Sequence, residues 1–186
     1  MTTSDFKKGL AIKYKSETYV ITGYQFVNPG KGSAFTRAKL KNVRSAKVIE
    51  VSFRSGEQIE EANMEYRKCQ YMYSDGGEYH FMDNSSYEQF SLSADMIGDQ
   101  GAYMMDGGNV TVVFVDNLPV SLQLPAKMEF TVTDSPPGDK GDTATGGSKQ
   151  VTIETGAKVN APLFIKEGDK IRVNTDNGEY VERVNT

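Results

Sequence analysis

The chain has 186 residues, 38% hydrophobic and 25% charged, the composition of a globular protein of one to three domains, and no apolar run approaches the roughly 20 residues that a membrane-spanning helix requires. Its single cysteine, Cys69, excludes an internal disulfide, and Cys69 with the single histidine, His80, offers too few soft ligands for a structural zinc site. The net charge of -4 is segregated: residues 1–63 hold 11 basic and 6 acidic side chains, residues 64–126 hold 2 and 9, and residues 127–186 hold 8 and 10. A basic first third in an acidic chain suggests that one end meets a polyanion while the middle is kept off it.

The N-terminal stretch "MTTSDFKKGLAIKYK" lacks the apolar core of a secretory signal, so a cytoplasmic protein is expected. Strand signals then dominate, with turn chemistry at short spacing, which predicts an all-β fold. "SETYVITGYQFV" and "SAFTRAKLKNV" flank the turn of "NPGKGSAFT", in which Lys31 stands between Gly30 and Gly32 just after Pro29. The second run alternates: Thr36, Ala38 and Leu40 fall on one face, Arg37, Lys39 and Lys41 on the other. "KVIEVSFRS" repeats the pattern, with Ile49, Val51 and Phe53 opposed to Glu50, Ser52 and Arg54. One face reads as core and the other as basic.

A second set of strands begins near Met64. "CQYMYSDGGEYHFMD" predicts a hairpin around Asp75-Gly76-Gly77 that sets Tyr71 and Tyr73 across from Tyr79 and Phe81, and "VTVVFVDNLPVSLQLP" predicts another turning at Asp116-Asn117. Between them, "SADMIGDQGAYMMDGG" predicts one short helix capped by Ser93, interrupted by Gly98 and Gly101. The last third holds four strand runs, a long polar loop in "SPPGDKGDTATGGSK" and an Asn177-Gly178 hairpin. Charge balance and strand pattern reset near Met64 and Lys127, which divides the chain into three β-modules, 1–63, 64–126 and 127–186.

Catalytic chemistry finds little support. His80 lies in the alternating "EYHFMD" run and reads as a strand residue, so no Ser-His-Asp or Cys-His set can be built around it. "GKG" is not a phosphate-binding P-loop, which needs four residues between its first glycine and its Gly-Lys pair and Ser or Thr after the lysine; here Gly32 follows Lys31. Ten Tyr and nine Phe could stack on bases, but alternating strand positions place aromatics in cores more often. The three cations on one face of a strand are better evidence for a nucleic-acid partner.

Taken in order, "DFKKGL", "FVNPGKGSAFTRAKLKNVRS", "YMYSDGGEYHFMD", "SSYEQF" and "GDKGDTATGGSKQVTIETGAKVNAPLFIKEGDKIRVNTDNGEYVERV" resemble the bacterial elongation factor P family over nearly the whole chain. One departure is Ala161 before Pro162, where the family more often has valine. The resemblance implies an SH3-like (KOW-like) first module and two OB-folds arranged as an L similar to a transfer RNA. It implies a non-enzymatic, monomeric translation factor without cofactor or metal that binds both ribosomal subunits beside the P-site peptidyl-tRNA and relieves stalling at consecutive prolines. By the same resemblance, Pro29, Gly30, Lys31 and Gly32 match the functional loop, whose lysine is lengthened by a modifying enzyme in many members. Gly141, Asp142, Thr143, Gly146 and Gly147 match a third-module loop that reads the mRNA codon in the E site, and Tyr180 and Arg183 a surface near transfer RNA or the small subunit. Arg37, Lys39, Lys41 and Arg54 would add the transfer-RNA and ribosomal-RNA contacts. Three other readings remain open: a paralogue with the same modules and another client peptide, a generic OB-type RNA-binding protein to which Lys31 is dispensable, and an enzyme whose site the sequence does not show.

Overall fold

The structure is a computed structural model that describes residues 1–138 and 147–185. Its strands form three antiparallel sheets of five. The first comprises β1 (Ala11–Tyr14), β2 (Glu17–Val27), β3 (Phe35–Asn42), β4 (Val48–Arg54) and β5 (Glu60–Glu61) in the order β4-β3-β2-β1-β5. The second comprises β6 (Met64–Ser74), β7 (Glu78–Asp83), β8 (Gln89–Ser93), β9 (Asn109–Val115) and β10 (Leu118–Gln123) in the order β10-β9-β6-β7-β8. The third comprises β11 (Lys127–Asp134), β12 (Ser148–Ile153), β13 (Lys158–Pro162), β14 (Lys170–Asn174) and β15 (Tyr180–Val184) in the order β13-β12-β11-β14-β15. Helix α1 (Ala94–Ile97) is one turn long, its Ser93 cap accepting from the Met96 N–H at 3.2 Å, and it runs on into a 3-10 helix over Gly98–Tyr103. Among the described residues, no helix is long and apolar enough to cross a membrane.

The described residues fall into two compact units, one of residues 1–98 and 106–123, the other of residues 99–105 and 124–186. In the first unit, the alternation of β3 drives Thr36, Ala38 and Leu40 inward, where Ala38 and Leu40 meet Phe6, Ile12, Tyr19, Ile21 and Phe53. A second cluster joins the first two sheets: Ala11, Val20 and Ala62 pack against Val113, Val115 and Val120. Within the middle sheet, Phe81 and Phe90 stack at 5.5 Å and Phe90 meets Phe114 edge-on at 5.1 Å. In the second unit the core is Phe130, Val132, Val151, Ile153, Ile171 and Val173 with Tyr103 from the short 3-10 segment. Gly178, at φ 76° in the turn before β15, accommodates that ring: a Cβ there would lie 2.8 Å from the Tyr103 hydroxyl.

Among the register shifts of the described ladders, two bear on the aromatics of the hairpins. One lies between Ile21 and Gly23 in β2. The other lies between Tyr71 and Tyr73 in β6, so that Tyr71 opposes Phe81 as expected while Tyr73 opposes His80 rather than Tyr79. The Asp116-Asn117 turn forms as expected, with both residues at positive φ, 50° and 62°.

Candidate functional site

The β2–β3 hairpin holds the candidate loop. β2 is 11 residues long and stays paired with β3 out to Val27 opposite Phe35, so residues 28–34 are carried at the end of a long ladder. Pro29 restricts the approach to the tip. Gly32 sits at φ 111°, a conformation L side chains rarely adopt, while a Cβ there would lie no closer than 3.9 Å to Pro29 Cγ. The requirement for glycine at this position is therefore one of backbone conformation, not of space. Gly30 has a negative φ and open space around it, so its contribution is a narrow tip. Lys31 is exposed, and among the described residues it takes part in no hydrogen bond or ion pair.

Below the tip, the solvent face of β3 and β4 carries the expected cations in paired rows: Phe35 with Arg54, Arg37 with Ser52, Lys39 with Glu50 and Lys41 with Val48. Arg37, Lys39 and Arg54 are exposed. The Arg37 guanidinium lies 3.4 Å from Glu50 and 5.9 Å from the centre of the Phe35 ring, contacts too exposed to hold it firmly. Lys41 differs. It is half-buried, and its Nζ donates to the backbone carbonyl of Asp95 at 2.5 Å.

Sequence reading missed two aromatics on the opposite face of the hairpin. Tyr24 and Phe26 are 49% and 60% exposed, although strand aromatics were expected in cores. The bulge at Thr22 turns both onto the inward face, opposite Ala38 and Thr36, and yet both stay exposed. Tyr24 keeps one ring partner, Phe6, edge-on at 6.2 Å.

In the third sheet, Tyr180 is half-buried against the core and pairs with Val173. Arg183 pairs with Ile171; its guanidinium lies 5.6 Å from the centre of the Phe164 ring, and its Nη1 lies 4.0 Å from Asp169. Gly147 directly precedes β12. Gly141, Asp142, Thr143 and Gly146 lie outside the described residues.

Groups with catalytic or metal-binding chemistry are committed elsewhere. His80 Nε2 and Asp75 Oδ2 are 3.0 Å apart, and the His80 ring stacks on Tyr73 at 4.5 Å. Asp75 Oδ1 accepts the N–H groups of Gly77 at 3.0 Å and Glu78 at 2.8 Å. Asp75, Glu78 and His80 hold ligand atoms within 4.8 Å of one another, but both Asp75 oxygens already close the turn. The hydrogen bond from His80, then those from the Glu78 and Gly77 amides, holds the Asp75 carboxyl down to about 2. Cys69 is buried, and desolvation pushes its thiol up to about 11, the behaviour of a packing residue rather than a nucleophile.

Family models match all three sheets: the elongation factor P KOW-like domain over residues 2–59, the elongation factor P OB domain over residues 64–122, and the elongation factor P C-terminal domain over residues 128–183. Elongation factor P of Helicobacter hepaticus is 46% identical over 181 residues, 97% of each chain. That of Pelotomaculum thermopropionicum is 45% identical over 184 residues, 99% of this chain and 100% of its own. The chain belongs to the elongation factor P family. It is therefore a translation elongation factor of all-β architecture, with a KOW-like first module and an OB middle module. A solved eukaryotic translation initiation factor 5A from Methanococcus jannaschii overlays 66% of this chain and 90% of its own, at 20% identity and a TM-score of 0.42. Within the elongation factor P frame, the KOW-like module is the one that carries the glycine-flanked lysine and the row of exposed cations.

Proposed function

We propose that this factor binds the ribosome beside the P-site tRNA and stimulates peptide-bond formation at consecutive prolines, its Lys31 loop holding the peptidyl-tRNA acceptor end in place. The supporting observation is an exposed lysine without a partner among the described residues, on a narrow tip whose conformation requires glycine at 32, carried by a hairpin with cations along one face. Arg37, Lys39 and Arg54 serve as phosphate contacts that seat the module. Tyr180, Arg183 and the loop that includes Gly141, Asp142, Thr143, Gly146 and Gly147 also meet RNA, the loop reading the E-site codon. The three modules, 1–63, 64–126 and 127–186, divide this work between the lysine loop, the acidic middle module and the codon loop.

The reaction belongs to the ribosome. Proline is a cyclic secondary amine with a fixed φ, so a Pro-Pro donor and acceptor pair rarely reaches a reactive geometry. A protein that immobilises the tRNA end lowers the entropic part of the barrier; two to three orders of magnitude in rate correspond to about 3 to 4 kcal/mol. No side chain of the factor needs to exchange protons or form bonds with the substrate. A bare lysine extends only about 6 Å from its backbone, so lengthening of Lys31 by a modifying enzyme carries an amine to the reaction centre while the backbone stays back. The test is reconstituted translation of one message encoding three consecutive prolines and one encoding none. Added factor should accelerate the first and leave the second unchanged; equal effects on both would refute the proposal.

A further inference from the structure

Lys41 lies on the same face of β3 as Arg37 and Lys39, but its surroundings are different. In the β2–β3 ladder it stands opposite Val20, and Val20 belongs to the apolar seam between the first two sheets. β1 and β2 bury both faces: Ile12, Tyr19 and Ile21 enter the first core, while Ala11 and Val20 cross to Val113, Val115 and Val120. Polar contacts fringe the seam. Ser121 Oγ donates to the Gly9 carbonyl at 3.5 Å, and the Ala11 N–H points at Met64 Sδ at 3.2 Å. Lys41 continues the seam onto β3: its Nζ donates to the Asp95 carbonyl in α1 and lies 3.6 Å from where a Cβ on Gly98 would stand.

An apolar seam resists separation but is non-directional, so it tolerates rotation of one sheet on the other. A charged donor on a carbonyl has a preferred distance and angle, and it resists that rotation. We propose that Lys41 is a positioning residue that fixes the rotation of the first sheet on the middle sheet, setting the angle at which the Lys31 tip is presented. The contact divides the basic row: Arg37 and Lys39, nearer the tip, face solvent, while Lys41 is committed to the joint.

The geometric half of the test does not depend on translation. In the full-length protein, spin labels on Lys47→Cys and Ser85→Cys, both exposed sites, report the distance between the two sheets, and buried Cys69 stays unlabelled. Lys41→Met should widen the distance distribution about twofold, and Lys41→Arg, which keeps a charged donor, should not. A Lys41→Met distribution as narrow as that of the unsubstituted protein would overturn the proposal. The functional half rests on the reading above. In three-proline translation, Lys41→Met should lower the maximal rate about tenfold, with the half-saturating concentration and the salt slope of ribosome binding unchanged. A raised half-saturating concentration with a shallower salt slope, the signature of a lost phosphate contact, would overturn it too. If the unsubstituted factor leaves proline synthesis unaffected, the proposed function fails while the label distances still decide the role of Lys41.

Discussion

Two hairpin tips in the first compact unit are equally rich in glycine and differ in how their polar groups are used. The β6–β7 tip is closed on itself: Asp75 takes two backbone amides and His80, Ser74 Oγ takes the Gly76 N–H at 3.2 Å, and Tyr73 stacks on His80. The β2–β3 tip leaves Lys31 facing water with no hydrogen bond or ion pair among the described residues, yet holds Gly32 in a backbone conformation closed to most residues. A turn whose polar groups are satisfied internally explains itself. For a turn that leaves its cation unpaired among the described residues, the proposed function supplies a contact outside the chain.

The comparison is broken most sharply at the lysine itself. Lys31→Arg keeps the charge and removes the primary amine that a modifying enzyme would extend, so stimulation of three-proline synthesis should fall about a hundredfold while the protein stays folded. Gly32→Val should cost less. A β-branched residue at φ 111° forces the tip to rearrange, destabilising the loop by about 1 to 3 kcal/mol and lowering the stimulated rate about tenfold, with ribosome affinity retained. Titration of ribosome binding against maximal rate separates these effects. Joint reversal of Arg37 and Lys39 to glutamate should act on affinity instead, weakening association and making its salt dependence shallower by about two phosphate contacts.

The β6–β7 tip supplies the smallest effect. Because the Asp75 carboxyl is held from its ordinary 3.8 down to about 2, its contribution to the order of the turn is fully present above pH 3.8 and is lost as pH falls through about 2. The carboxyl carbon resonance of Asp75 should therefore titrate near 2 and not near 3.8. Substitution Asp75→Asn should loosen this tip and leave proline synthesis unchanged.

Much of this contrast is legible in the sequence. The period-two pattern of "TRAKLK" gives the two faces of β3 because one face is buried and the other solvated; the Ser93 cap and the Asp116-Asn117 turn rest on local chemistry and form as expected. Ordered motif matches carry the family. The bulges at Thr22 and Met72 are not legible: each inserts one residue and reverses the parity beyond it, which sets Tyr24 and Phe26 opposite Ala38 and Thr36 and moves Tyr73 opposite His80. The seam also hides, although its trace is there: "LAI", "YVI" and "VTVVFV" are apolar at both parities, as strands buried on two faces must be. No local signal tells Lys41 from Lys39, because the carbonyl that takes its ammonium is 54 residues away. Tyr103 likewise follows the middle module's helix in sequence and joins the third core in space.

In the proposed function Lys31 is a working end and not a solvated turn residue. The direct measurement is the rate of three-proline peptide synthesis at saturating factor, comparing native protein with Lys31→Ala. An exposed tip without partners buries little, so the substitution should shift unfolding stability by no more than about 0.5 kcal/mol and leave most ribosome binding in place. Lys31→Ala should nonetheless lose the proline-specific stimulation. Stimulation by Lys31→Ala equal to that of the native protein would contradict it.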